Sequence, residues 1–362
     1  MNNNIDQPKN WREVKLAEIA DVNMGQSPRS EFYNFEKIGL PFYQGVTDFG
    51  EKYPKKSIYC SKPIKIAEVN DIFFSVRAPV GNINVATEKS CIGRGVASLR
   101  MKNNNNDFLY FLLKKNEKKF KVIAGGTTYE SINKDQIENI DFIIPETPAE
   151  QKRIADILSA FDDKIELNNK ISQTLEKMAQ AIFKEWFSEK SKIKNQKLGN
   201  AASISYGRGP YSSQLKKIGY PVYGANGIIG YFDSYDFSDR QIIIGCRGVV
   251  GNVTLTLPQC LITHNSLVVK PKDNKKIFFF YLLRNQNLGA VVGGSAQPQI
   301  TINDLEKLEL LIHDEKLQDK FESIAGNIEQ KRLLLHYENQ KLAAMRDLLL
   351  PKLISGKLKI KE

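Results

Sequence analysis

Apolar residues fall along the chain in three textures. Short β-rich runs such as DIFFSV (71–76) and QIIIGC (241–246) are bounded by Gly and Pro, and they predict strands. DFLYFLLKKNEKKF (107–120) and IFFFYLLRNQN (277–287) are apolar on one side and predict helices. The third texture is a seven-residue spacing. It begins after Thr147-Pro148-Ala149-Glu150, a capping box with proline at the first helical position. One series holds Ile154, Phe161, Asn168, Leu175 and Ile182, and its companion, three residues on, holds Ile157, Lys164, Ile171, Met178 and Glu185. A second series holds Phe321, Ile328, Leu335, Leu342 and Leu349, with Ile324 and Met345 as companions, and Gly356 stands where a helix-ending glycine is expected. The spacing predicts two helices of about 35–40 residues, roughly 55 Å each. Such apolar stripes need a partner, and each helix can supply the other's in an antiparallel coiled coil. Asn168, alone among apolar neighbours, either fixes the register or faces solvent near one end.

The chain also repeats itself. KLAEIADVNMGQSP (15–28) aligns with KLGNAASISYGRGP (197–210), and IGLPFY (38–43) with IGYPVY (218–223). DIFFSVRAPVGNIN (71–84) aligns with QIIIGCRGVVGNVT (241–254), and GGTTYESINKDQIENIDFII (125–144) with GGSAQPQITINDLEKLELLI (293–312). The offset falls from 182 (197 − 15) to 168 (293 − 125), which places the missing residues of the second copy in loops. The fold expected is α/β (α+β), a pseudo-twofold tandem repeat of two similar globular domains separated by two long antiparallel helices. The boundaries expected are 1–146 for the first domain and 147–190 for the first long helix. The second domain is expected at 191–312 and the second long helix at 313–362.

Composition narrows the partner more than the fold. Of 362 residues 41% are hydrophobic and 26% charged, as in soluble globular proteins, and no apolar run is long enough to span a bilayer. With no signal-peptide pattern at the N-terminus, the expected location is cytoplasmic. Cys60, Cys91, Cys246 and Cys260 form no CxxC pair and read as small buried side chains. The net charge of +11 suits a polyanion, chiefly nucleic acid; a Lys-rich host composition is the alternative.

Catalytic signatures are missing. There is no GxxxxGK[ST] phosphate loop, no GxGxxG run and no Asp/Asn-Pro-Pro-aromatic tetrapeptide. Asp141 followed by Glu150-Gln151-Lys152 echoes a nuclease site, but an acid in a first helical turn is expected for capping. Gly125-Gly126-Thr127-Thr128 and Gly293-Gly294-Ser295-Ala296 either cradle a phosphate or are plain turns. No metal-ligand set and no catalytic residue is assigned. What remains are side chains suited to base edges and phosphates. In the first copy these are Gln44, Lys55, Lys56, Arg77, Asn82 and Arg94. In the second they are Arg208, Tyr223, Asn226, Arg247, Asn252, His264, Asn265, Gln297 and Gln299. Arg77 and Arg247 stand out, because both follow an apolar strand and precede a VGN turn; pairing with a carboxylate inside the domain is the alternative.

Two variable domains, each opening on KL-x₂-(I/A)-A, crossing a GG(T/S) turn into a helix and strand, and ending in a long helix, resemble the specificity subunit of a type I restriction-modification system. Trp11, PAEQKRIADIL (148–158), GGSAQPQI (293–300) and LLPKLISGKLKI (349–360) support the resemblance, which covers nearly the whole chain. It implies a non-catalytic chain whose domains each read one half of a bipartite, asymmetric double-stranded DNA target. The helices would set the unread spacer and dock two methyltransferase subunits, with restriction motor-nuclease subunits completing the complex. S-adenosylmethionine, ATP and magnesium would belong to those partners, and none to this chain. The rival reading is a coiled-coil scaffold that binds only proteins. One departure stands out: the first copy has TTYESI where the second has SAQPQI, so Gln297 has no counterpart at Tyr129.

Overall fold

The computed structural model describes residues 9–55, 58–124, 131–187, 192–294 and 297–360. Lys56, Gly125-Gly126-Thr127-Thr128, Tyr129, Ser295 and Ala296 lie outside the described residues. The chain divides into two compact units, one formed by Met1–Glu166 with Gln340–Glu362 and the other by Leu167–Asn339.

The first unit is built on a four-stranded antiparallel sheet in the order Ala20–Met24, Val96–Met101, Ile72–Ser75, Ile83–Val85. The inner strand Ile72–Ser75 is buried along its whole length. The helix Asn106–Lys115, expected to be apolar on one side, is instead buried all round from Phe108 to Leu113 because it shares the core of this sheet, and it starts where the Asn105 side chain accepts from the Phe108 amide. A pair of strands, Trp11–Lys15 with Asp141–Pro145, closes the base. A second sheet joins Leu40–Tyr43 in parallel to Ser90–Ile92.

The second unit repeats this plan. Its four-stranded sheet runs Ala202–Tyr206, Ser266–Pro271, Ile242–Gly245, Val253–Leu255, and Tyr220–Gly224 pairs in parallel with Leu261–Ile262. Lys192–Lys197 and Glu309–His313 form the matching base pair of strands. Shared apolar pattern thus yields the same strand order in the four-stranded sheets, while the second sheets differ, five-stranded in the first unit and three-stranded in the second.

Two long helices are present, Pro148–Trp186 and Glu315–Leu353, each of 39 residues. The first opens as its sequence requires, with Thr147 Oγ1 accepting from the Glu150 amide at 3.3 Å. After the second, Gly356 adopts a φ of +68°. Each helix contributes one stretch to each unit, and within each unit the two stretches run antiparallel. In the first, Ile154, Ala155 and Leu158 share a core with Leu350, Leu353 and Ile354. In the second, Ala179, Phe183 and Phe187 share one with Phe321 and Ala325.

The companion positions of the seam differ from the expected ones. They lie four residues after the leading series rather than three: Leu158 and Ala179 are buried, whereas Met178 and Met345 are about half exposed and Lys164 and Glu185 are exposed. Positions three and four residues on both flank an α-helical stripe, so the partner decides between them. The apolar letters favoured the first choice because the true companions on the second helix include Arg332, Asn339 and Arg346. Within each unit the contact between the two helices is therefore partly polar. Arg346 Nη1 lies 2.5 Å from Asp162 Oδ1, and Lys52 Nζ lies 3.4 Å from Asp162 Oδ2. Arg332 pairs with Glu176 and Glu329 at 2.6 Å each, and Glu329 also accepts from Tyr281 Oη at 2.9 Å. Asn168 is fully buried, donating to Glu338 Oε2 at 3.0 Å and Asn339 Oδ1 at 2.9 Å.

Candidate nucleic-acid interface

In both units the chain enters the candidate site through a glycine that nothing larger could replace. A Cβ on Gly25 would lie 2.2 Å from the Gly93 carbonyl oxygen, and one on Gly207 would lie 2.3 Å from that of Ile262. This close crossing brings the segment after each glycine against the end of the sheet: the Gly25 amide donates to Val96 at 3.0 Å and that of Gly207 to Ser266 at 3.1 Å.

In the first unit the result is an open cleft of about 610 Å³ that brings together Gln44, Arg77 and Arg94 with Ser27, Ser30, Tyr33 and Thr47. Its walls are tied to one another. Tyr33 Oη donates to the Pro28 carbonyl at 2.7 Å, Gln44 Nε2 donates to Tyr33 Oη at 3.3 Å, and the Arg94 amide donates to Ser27 Oγ at 3.1 Å. Both guanidinium-bearing residues are exposed, and among the described residues no carboxylate pairs with either. Uncancelled positive charge beside hydroxyls and an amide suits a polyanion whose contacts are phosphate oxygens and base edges. Asn82 is not part of this cleft. It is half-buried beside a separate hollow with Phe49 and Tyr110.

The second unit places a smaller cleft, about 510 Å³, at the matching glycine-led segment, lined by Arg208, Tyr211, Gln214 and His264. The Tyr211 ring stands 6.4 Å from that of His264, and its amide donates to Gln214 Oε1 at 2.9 Å. Arg247 is exposed, lies 5.9 Å over the Tyr206 ring and directs Nε at Gln299 Oε1, 3.5 Å away. Asn265 is half-buried, and its carbonyl accepts from the Cys246 amide at 2.8 Å. Asn226 is exposed at the turn between Tyr220–Gly224 and Gly227–Phe232, and Gln297 is exposed just beyond Gly294. Asn252 turns inward, donating to the Ala225 carbonyl and Thr254 Oγ1 at 3.3 Å each.

Tyr223 is interior. It is 4% exposed, its hydroxyl accepts from the Leu257 amide at 2.8 Å, and burial pushes its pKa up to about 12. Side chains not singled out from the sequence line both clefts: Ser27, Ser30, Tyr33 and Thr47 in one, Tyr211 and Gln214 in the other. The signal that marks most of them is the repeated glycine just upstream. The nuclease-like trio does not assemble as a metal site: Lys152 pairs with Asp156 at 2.7 Å, and no His, Cys, Asp and Glu cluster suited to a metal occurs among the described residues.

Residues 8–177 and 190–320 each match the sequence profile of the type I restriction modification DNA specificity domain. The chain belongs to this family. Its role in the type I restriction-modification family is specificity, not catalysis. The chain is 23% identical to the MjaIX specificity subunit of Methanocaldococcus jannaschii, across 98% of this chain and 95% of that one. It is 38% identical to the MjaX specificity subunit of the same organism over 52% of this chain, a match that spans only 45% of that relative's length. The fold is also that of a type I restriction-modification S subunit from M. genitalium, with a TM-score of 0.64 at 21% identity, covering 98% of this chain and 97% of the other. Within the type I specificity family the two matched segments correspond to the two copies of the repeat, and no helix of the described residues is long and apolar enough to cross a membrane.

Proposed function

We propose that each unit of this type I specificity protein reads one half of a bipartite, asymmetric sequence in double-stranded DNA. The observation that supports the reading is a common backbone frame carrying different exposed side chains. Arg94 in one cleft is answered by His264 in the other, and Arg208 of the second cleft stands where the repeat places the exposed Gln26, which precedes Ser27 of the first. Dimeric readers keep true symmetry and recognise palindromes, whereas a tandem copy lets the halves diverge. The first recognition domain spans 1–146 and the second 191–312, and Gln44, Arg77, Arg94, Arg208, Arg247 and His264 supply DNA contacts. The paired helices, 147–190 and 313–362, set the unread spacer and dock two methyltransferase subunits. Restriction subunits complete the complex, which works in the cytoplasm. S-adenosylmethionine, ATP and magnesium serve the partners.

Replacing residues 15–145 with the equivalent domain of a relative tests the reading. The methylated motif of the reconstituted complex is expected to change in one half alone. A change in both halves together would remove the modular reading.

A further inference from the structure

Arg77 and Arg247 occupy matching points of the two repeats, and two backbone contacts to each are shared. Each forms a bridge to the residue five positions after its Gly-Gly pair, Arg77 with Ser131 and Arg247 with Gln299. In each unit the next amide, that of Ile132 or Ile300, donates to the carbonyl of the residue before the arginine, at 3.0 and 3.1 Å. Both side chains are exposed, and among the described residues neither meets a carboxylate. Arg247 touches a neutral amide and a ring, which leave its charge uncancelled and further N–H donors available.

Two considerations decide what these groups hold. Exposed residues around them differ between the repeats, so a side chain kept in both cannot be what distinguishes one half-site from the other. Arg77, moreover, lies in a recess with Arg94 and several hydroxyls. Base edges lie at the floor of a groove and are reached by projecting elements, whereas phosphates project from the duplex and fit a recess. We propose that Arg77 and Arg247 each grip a backbone phosphate, fixing where each unit sits on the duplex without reading a base. The inference rests on the DNA reading above.

Lysine variants help separate the two roles, because an ammonium keeps the charge a phosphate needs but lacks the rigid planar fork with which arginine matches guanine O6 and N7. The full-length chain is titrated with short duplexes carrying either its methylated motif or a scrambled one, over a range of salt. For Arg77→Ala and Arg247→Ala, the slope of log affinity against log salt is expected to fall by about one. Affinity for both duplexes should drop by the same factor. Arg77→Lys and Arg247→Lys should restore the slope and leave the motif preference intact. An unchanged slope in the alanine variants, or a reduced preference for the motif over the scrambled duplex in any variant, overturns the phosphate assignment. Absence of salt-dependent duplex binding by the wild type overturns the DNA reading itself, and this inference with it.

Discussion

Asp162 shows how much one side chain can control. Its side chain is 5% exposed, and it meets Arg346 from the second helix and Lys52 from the first recognition fold. Arg346→Met leaves the carboxylate with the lysine alone, and a loss of about 3–5 kcal/mol is expected in urea unfolding. Adding Asp162→Asn should recover part of that loss, since the stranded charge is then gone; a double variant no better than the single would refute the pairing. His336 makes a different prediction. Its Nε2 is buried with no hydrogen-bond partner among the described residues, and burial, followed by the nearby Arg240, holds its pKa below the ordinary value. The folded state thus disfavours the imidazolium, while the unfolded chain protonates this side chain near pH 6.5. Its contribution is present above that pH and lost as pH falls below it. Melting temperatures between pH 8 and 5.5 should therefore decline less steeply in His336→Phe than in the wild type, and parallel curves would count against the assignment.

At the scale of elements, the long helices were legible because a seven-residue period and a capping box are local signals. Their seam was not, because charged and amide side chains that bury one another look like solvent-facing residues until the partner helix is in place. Asn168 is the clearest instance: its burial against Glu338 and Asn339 depends on a contact 170 residues away in sequence. Asn168→Leu should change stability little, as both partners can turn to water, yet weaken the choice of register. Spin labels on the two helices, at exposed positions within 167–186 and 315–339, should then report a broadened distance distribution; a single narrow distance would show that register is set elsewhere. The clefts were half legible. Arg77, Arg94, Arg208 and His264 could be named from the repeat, while Tyr223 and Asn252 could not be recognised as inward-facing, since nothing in a short polar run records which way a loop side chain turns.

For the whole molecule, the proposed ruler gives a quantitative expectation. Seven residues inserted into both helices keep the phase of the seam and lengthen each by about 10 Å, or about three base pairs of duplex. The methylated motif should keep its two halves and gain a longer spacer; an active protein with an unchanged spacer would show that the helices do not set it. A different consequence follows from the way the first unit is completed by residues 340–362, with Leu350, Leu353 and Ile354 in its core. The second unit is one continuous stretch, whereas the core of the first also needs Leu350, Leu353 and Ile354, which follow that stretch in sequence. On the ribosome, then, the whole second unit is synthesised before the first can close its core. A chain released at residue 339 should yield a protease-resistant second unit beside a first unit that is readily cleaved, so an early stop codon disables the N-terminal reader and spares the other.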